Sequence, residues 1–288
     1  MLKKSDLYFF NLINPLRPTE IIDVGANPID GFPPYKQMLD IGICNLTGFE
    51  PQPSVLADLI KNKKNNENYL PYVLGNGEKQ VLKICRGTGM TSLYEPDMAV
   101  LNLFDALVPY AQVIAREEVA TIRLDDVEEI GKIDFLKIDI QGGELSVFQS
   151  GRKRLADAVV IQTEVSFVQI YKNQPSFGEI DLELRNQGFI PHCFPEIKKW
   201  PISPCVVNGD QRRSLNQLLE ADIVYVRDFS MPEKLSSEQL KQLALISHYV
   251  YKSYDLTIYC LSQLQLRCAI DNNSINLYLQ ILRDQIEN

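Results

Sequence analysis

Short apolar runs rich in β-branched residues alternate with stretches of helical spacing along most of this 288-residue chain, and that alternation constrains the fold more than any other feature. Strands separated by helices form a mostly parallel sheet, because each crossover helix carries the chain back to the edge where it started. The strands read from the sequence cover residues 20–24, 45–50, 69–74, 133–139, 158–164, 188–194 and 222–227, seven in all. Helical spacing at 34–41, 54–63, 144–150 and 178–186 supplies crossovers for both faces of the sheet. Residues 80–85 follow the turn dipeptide Asn76-Gly77 and read as an antiparallel hairpin arm.

Two segments leave the alternation. Residues 191–214 hold four prolines and the single tryptophan, Trp200, and are expected to be a long ordered loop. From Met231 onward the pattern is helical: Ser236 is an N-cap with Gln239 as its capping-box partner, and further helices are expected from Leu256 and from Ser274. The expected division is therefore a body over residues 1–230 with an appended helical extension over 231–288.

The chemistry sits where strands end. Ile21, Ile22, Asp23 and Val24 form a buried strand running into Gly25, Ala26 and Asn27, and in a doubly wound sheet the carboxyl end of such a strand borders the ligand crevice. The pyrophosphate fingerprint G-x-G-x-x-G is absent, since Gly25 and Gly31 stand six apart and Asp23 precedes the first of them. A carboxylate there repels a pyrophosphate and attracts a cationic ligand, which favours S-adenosyl-L-methionine over NAD. The next strand closes on Gly48, Phe49, Glu50 and Pro51, where Glu50 can accept hydrogen bonds from ribose hydroxyls. A third strand carries Lys137 and Asp139 at the end of an otherwise apolar run, followed by Gln141, Gly142, Gly143 and Glu144. Charges in such a place are costly unless paired or used.

Taken in order, Asp23 to Asn27, Gly48 to Pro51, Leu124-Asp125-Asp126, and Leu136 to Asp139 with Gly142 and Glu144 resemble the motifs of the FkbM family of S-adenosylmethionine-dependent methyltransferases. The likeness runs over roughly residues 20–228. It implies a class I methyltransferase (Rossmann-like) α/β fold: a seven-stranded, mostly parallel sheet with helices on both faces, here with C-terminal helices appended. It also implies that Asp23, Gly25 and Asn27 lie at the methionine end of the cofactor, Glu50 on its ribose, and Asp139 beside the methyl group and the acceptor. Family members typically methylate hydroxyl groups on sugars, glycoconjugates or natural products. Ser92, in a stretch similar to the family's serine-containing segment, is expected near the cofactor. The chain departs from the family pattern at Gln141, where an acid is usual, and at Pro28, which implies a longer turn.

Glu164 ends the fifth strand, a crevice-facing position, so Asp139 and Glu164 are the two candidates for a general base. Tyr171 and Trp200 are candidates for stacking on an acceptor ring, and His192 reads as a satisfied core histidine. No metal is implied: two histidines and six scattered cysteines without a C-x-x-C pair make no cluster.

Charge narrows the partners. Twenty-nine basic against 37 acidic residues leave a net charge of -8, which offers no basic field for a phosphate backbone, so nucleic acid is disfavoured as partner. No apolar run nears the roughly 18 residues that span a bilayer, and a cytoplasmic address is expected. A small-molecule or glycan acceptor is the expected partner. The helical extension is a candidate cap for the site or seam of a homodimer. Two other readings stay open, an NAD-dependent oxidoreductase sharing the fold class, and a non-catalytic assembly protein whose methyltransferase-like body presents the helical tail.

Overall fold

The computed structural model describes residues 7–27, 31–213 and 215–286. The first half runs α1 (Tyr8–Ile13), β1 (Thr19–Val24), α2 (Lys36–Asp40), β2 (Cys44–Phe49), α3 (Pro53–Asn62), β3 (Glu67–Leu70), β4 (Val73–Leu74), β5 (Lys79–Cys85), α4 (Met98–Leu101) and β6 (Val113–Ile122). The second runs β7 (Phe135–Ile138), α5 (Glu144–Ser150), β8 (Val160–Ser166), α6 (Phe177–Asn186), β9 (Phe189–Lys199), β10 (Leu218–Arg227), α7 (Ser237–Ile246), α8 (Tyr254–Leu266) and α9 (Ser274–Ile286).

Seven strands form one sheet in the order β3-β2-β1-β7-β8-β10-β9. The pairs from β3 to β8 are parallel, and β10 alone is reversed, antiparallel to both β8 and β9. This is the mostly parallel class I methyltransferase sheet. Successive side chains of a strand face opposite ways, and the two cores follow that rule. Ile21, Phe135, Val160 and Val224 enter one cluster, with residues of α1, α2 and α7 to α9. Their neighbours Ile22, Leu136, Ile161 and Tyr225 enter the other, against Val147 and Phe148 of α5 and Ile180 and Leu184 of α6.

Two expectations about strands need correction. The run 69–74 is two strands, because Pro71 lacks an N–H and ends the ladder: β3 stops at Leu70 in the main sheet, and β4 joins a three-stranded sheet ordered β4-β6-β5. Residues 80–85 do form an antiparallel arm, β5, against β6. The partner β6 escaped notice since Arg116, Glu117 and Glu118 interrupt its apolar pattern and are exposed. The stretch 191–214 is not loop throughout, for β9 continues to Lys199. An edge strand tolerates Pro191 and Pro195, since one side of its ladder needs no partner. Irregular chain begins only at Trp200.

Past β10, Ser236 caps α7 with the reciprocal Gln239 bond that the sequence implied. Leu240, Leu243 and Ala244 of α7 and Leu261 and Leu264 of α8 share the cluster that holds Phe135 and Val160 of the sheet. Burying each leucine is worth about 1.5–3 kcal/mol, so these helices cover one face of the sheet rather than hanging from it. A π-helical turn, Ser247–Tyr251, joins α7 to α8, and Tyr251 donates a hydrogen bond to Gln162 Oε1 (2.9 Å) on β8.

Candidate functional site

At the end of β1 the chain must pass very close to the end of β7. Gly25 has φ +83°, and a Cβ there would lie 2.1 Å from the backbone oxygen of Asp139. Glycine is therefore required by the crossing of two strand ends, whatever ligand lies above. Asp23 is buried and internally committed: Tyr35 donates its hydroxyl proton to Oδ2, and Lys137 Nζ lies 3.4 Å from Oδ1. Burial raises the Asp23 pKa, against the pull of Lys137 and Tyr35. Burial alone would lower that of Lys137, but the carboxylates of Asp23, Asp139 and Asp222 outweigh it and hold the ammonium charged.

Glu50 follows β2 and is 2% exposed. Its Oε1 accepts from the backbone N–H of Gln52 (2.7 Å), while burial pushes its pKa up. Phe49 and Pro51 on either side line a cavity of ≈ 240 Å³ over the strand ends, with Gly25, Asn27, Ser92 and Asp139. Ser92 is fully engaged there, donating to the carbonyl of Gln141 (2.6 Å) and accepting from the N–H of Tyr94 (2.9 Å). It thus holds the turn after β7.

That turn is the most constrained part of the site. Gln141 has φ 57° and Gly142 φ 104°, and left-handed backbone at a residue with a side chain costs on the order of 1–3 kcal/mol unless its surroundings enforce it. Glu144 supplies part of the enforcement, its Oε1 accepting from the N–H groups of Ile140 (2.9 Å) and Gly142 (3.2 Å). Burial lifts the Glu144 carboxyl to about 7.

Behind Asp139 lies a group of charges that the strand-end motifs do not contain. Gln141 Nε2 donates to Asp139 Oδ1 (2.9 Å) and to Glu164 Oε2 (3.0 Å). Lys198 of β9 reaches Glu164 (3.3 Å) and Glu220 of β10 (2.8 Å). Burial raises the Glu164 pKa, with the Asp139 and Glu220 charges adding to it and Lys198 opposing. A second cavity of ≈ 800 Å³, lined by Asp23, Tyr35, Tyr69, Gln162 and Asp222, meets the first at Asn27, Lys137, Asp139 and Lys198.

The structure thus gathers Gly25, Asn27, Ser92 and Asp139 on one cavity and places Asp23 on the adjoining one, while Glu50 lines neither and stands between the lining residues Phe49 and Pro51. Glu164 lines neither; its hydrogen-bonded link to Asp139 runs through Gln141. Tyr171 is buried under the first cavity with its hydroxyl on Gln141 Oε1 (3.1 Å), and Trp200 packs in the same small cluster. His192 Nε2 shares a hydrogen bond with Ser253 Oγ (2.6 Å), in keeping with a structural role. Sequence pattern does not mark Lys198 or Glu220: Lys198 follows prolines that read as loop, and Glu220 precedes the apolar run 222–227. The only hint was a pair of lysines, Lys198 and Lys199, after apolar Ile197. The turn shape implied by Pro28 concerns residues 28–30, outside the described residues. Among the described residues no group of three or more His, Cys, Asp or Glu side chains is arranged to hold a metal ion, and no helix is long and apolar enough to cross a membrane.

A family model for the methyltransferase FkbM domain matches residues 23–191, more than half of the chain. The chain belongs to the FkbM methyltransferase family. The matched segment of this FkbM protein contains every strand-end motif described above and ends inside β9, so Lys198, Glu220, Asp222 and helices α7 to α9 lie beyond it. Among solved structures it is similar to magnesium protoporphyrin IX methyltransferase from Synechocystis PCC 6803, whose structure holds bound SAM, at 10% identity over 78% of each chain, with a TM-score of 0.37. It is also similar to precorrin-6y C5,15-methyltransferase from Geobacter metallireducens, at 11% identity over 78% of this chain and 89% of that one, with a TM-score of 0.38. No curated protein sequence matches the chain.

Proposed function

We propose that this protein transfers the methyl group of S-adenosyl-L-methionine to a hydroxyl oxygen of a sugar, glycoconjugate or related natural product. The observation that carries the reading is the junction of two cavities at Asp139. The smaller fits the cofactor: Phe49, Pro51, Tyr72 and Leu74 supply an apolar slot, Glu50 ends β2 beside it, and Asp139 awaits a positive centre. The larger takes the acceptor, a hydroxyl-bearing small molecule or glycan. Most of its charges are already paired, Asp40 with Lys36 and Lys64, Asp23 with Lys137 and Asp222 with Gln162, which suits a neutral, hydroxyl-rich molecule better than a highly charged one.

Bound S-adenosylmethionine supplies an electrophilic methyl on a sulfonium. The chain's own work is alignment and proton removal. Aligning two reactants can lower a barrier by about 7–11 kcal/mol in favourable systems, so the two-cavity geometry is the larger contribution. Asp139 Oδ1 is held by Gln141, and Oδ2 accepts no hydrogen bond from the described residues. Oδ2 is the assigned general base, with Glu164 as the carboxylate behind it. Residues 1–230 form the catalytic domain, and 231–288 an extension that backs the sheet. The outer side of that extension, where Leu266 is 78% exposed, is the surface on which two copies would pair.

The reading is tested by following labelled methyl from S-adenosylmethionine into a panel of hydroxylated sugars and glycolipid precursors. With an acceptor found, Asp139→Asn should lower turnover by about 10²–10⁴-fold while cofactor binding persists. Full turnover in Asp139→Asn would remove the assignment. The absent G-x-G-x-x-G spacing weighs against an NAD-dependent oxidoreductase.

A further inference from the structure

Gln141, one of two positions at which the sequence departs from the pattern it resembles, stands between two acids. Gln141 has one NH₂ and one carbonyl on its side chain, and both are fully used. Its two hydrogens go to carboxylates from different strands, Asp139 Oδ1 at 2.9 Å and Glu164 Oε2 at 3.0 Å. Its Oε1 lies 3.1 Å from the buried Tyr171 hydroxyl, which shares its hydrogen between that oxygen and the Met90 carbonyl at 3.2 Å, and its backbone carbonyl accepts from Ser92 at 2.6 Å. With the NH₂ toward Asp139 Oδ1 and Glu164 Oε2, the amide oxygen is left to face the Tyr171 hydroxyl.

We infer that Gln141 is a positioning residue: its side-chain amide clasps the Asp139 and Glu164 carboxylates together and leaves Asp139 Oδ2 turned to the junction of the two cavities. An acid at this position would set a third carboxyl group within hydrogen-bond distance of two others, in place of the NH₂ that donates to both. Among the described residues Lys198 is the one cation paired with Glu164, and it also serves Glu220. The amide thus lets this chain keep two acids side by side where a carboxylate would drive them apart. The left-handed backbone of Gln141 belongs to the same device. Ser92, Glu144 and Tyr171 hold the turn from three sides, and only that turn aims the amide back across the end of β7.

The charged and titratable groups facing Asp139 are Lys137 on its own strand, Asp23 on β1, Glu144 on α5, Glu164 on β8, Tyr171 in the loop beyond it, Lys198 on β9, and Glu220 and Asp222 on β10.

The inference rests on Asp139 being the acceptor-side carboxylate, and its test separates the two. In the full-length protein, the side-chain amide of Gln141 is observed by ¹⁵N-¹H correlation spectroscopy, and the Glu164 carboxyl carbon is titrated in wild type and Gln141→Glu. Both amide protons should resonate downfield of free glutamine and exchange slowly, with Glu164→Gln moving one and Asp139→Asn the other. In Gln141→Glu the Glu164 midpoint should rise by about one pH unit or more. An amide signal at the free-glutamine position, unmoved by either substitution, overturns the clasp. So does an unchanged Glu164 midpoint. Were Gln141→Glu not to fold, the wild-type amide spectrum would still decide. Titrating the wild-type sample with S-adenosylhomocysteine reads the cofactor assignment independently, because absence of binding sinks that assignment and leaves the clasp standing.

Discussion

The two ends of the sheet solve the same problem in different ways. At the ends of β2 and β7, buried carboxylates are satisfied by the backbone a few residues away: Glu50 by the N–H of Gln52, and Glu144 by those of Ile140 and Gly142. Across β8, β9 and β10, the partners come from strands far apart in sequence. Lys198 meets Glu164 over 34 residues, and Gln162 meets Asp222 over 60. A local solution travels as a motif, since turn and side chain are specified together. A distant one depends on register, and any compensating pair of charges on the right strands will serve. The family match covers the first end together with β8 and stops inside β9, short of Lys198 and β10.

This contrast is breakable, and the largest effect falls on the local end. Gly25→Ala forces a Cβ against the Asp139 carbonyl in a left-handed backbone, and should destabilise the fold by more than about 3 kcal/mol in chemical denaturation. A loss near zero would mean that the two strand ends are free to part.

Glu144 gives the next effect, through pH. Its folded pKa, near 7, stands above the unfolded value, so the native state holds a proton that the unfolded state releases. The associated stability is present below the unfolded pKa and lost as pH rises through about 7, on the order of 3 kcal/mol for a shift of that size. Glu144→Gln keeps an acceptor for Ile140 and Gly142, and should flatten the fall in stability from mildly acid to neutral pH. An unchanged pH dependence would place the titration elsewhere.

At the distant end, Lys198→Met removes the cation between Glu164 and Glu220. Because the lysine side chain is 34% exposed, the expected loss is about 1–2 kcal/mol, below that of a fully buried pair. It should grow with rising pH, since both carboxyls have folded pKa values raised mainly by burial, and losing Lys198 raises them further. The smallest effect belongs to neither end: Ser236→Ala deletes the α7 cap and should cost about 1 kcal/mol, a baseline against which the other three are read.

How much of the molecule was legible beforehand follows the same line. The succession of strands and helices along the chain, the capping box at Ser236, and the placement of Asp23, Glu50 and Asp139 by strand ends could be read because periodicity and turn chemistry are local. Gly25 was noticed for its proximity to a ligand, whereas its requirement comes from Asp139, more than a hundred residues on. β6 was invisible because an exposed ribbon needs no apolar face, and the end of β9 because its prolines resemble a loop until edge position is known. Lys198 and Glu220 acquire meaning only through the antiparallel pairing of β9 with β10. Gln141 stood out as a departure from the family, but its purpose could be stated only once Glu164 lay beside it.

The central claim is that the cavity between Glu50 and Asp139 receives S-adenosylmethionine, and a thermal-denaturation titration tests it most directly. A ligand that binds only the folded state raises its melting temperature, by an amount that grows with the logarithm of free ligand above the dissociation constant. Wild-type protein should be stabilised by S-adenosylmethionine and by S-adenosylhomocysteine, should not respond to NAD, and should lose both shifts in Glu50→Ala. Stabilisation by NAD alone, or by none of the three, would contradict the account.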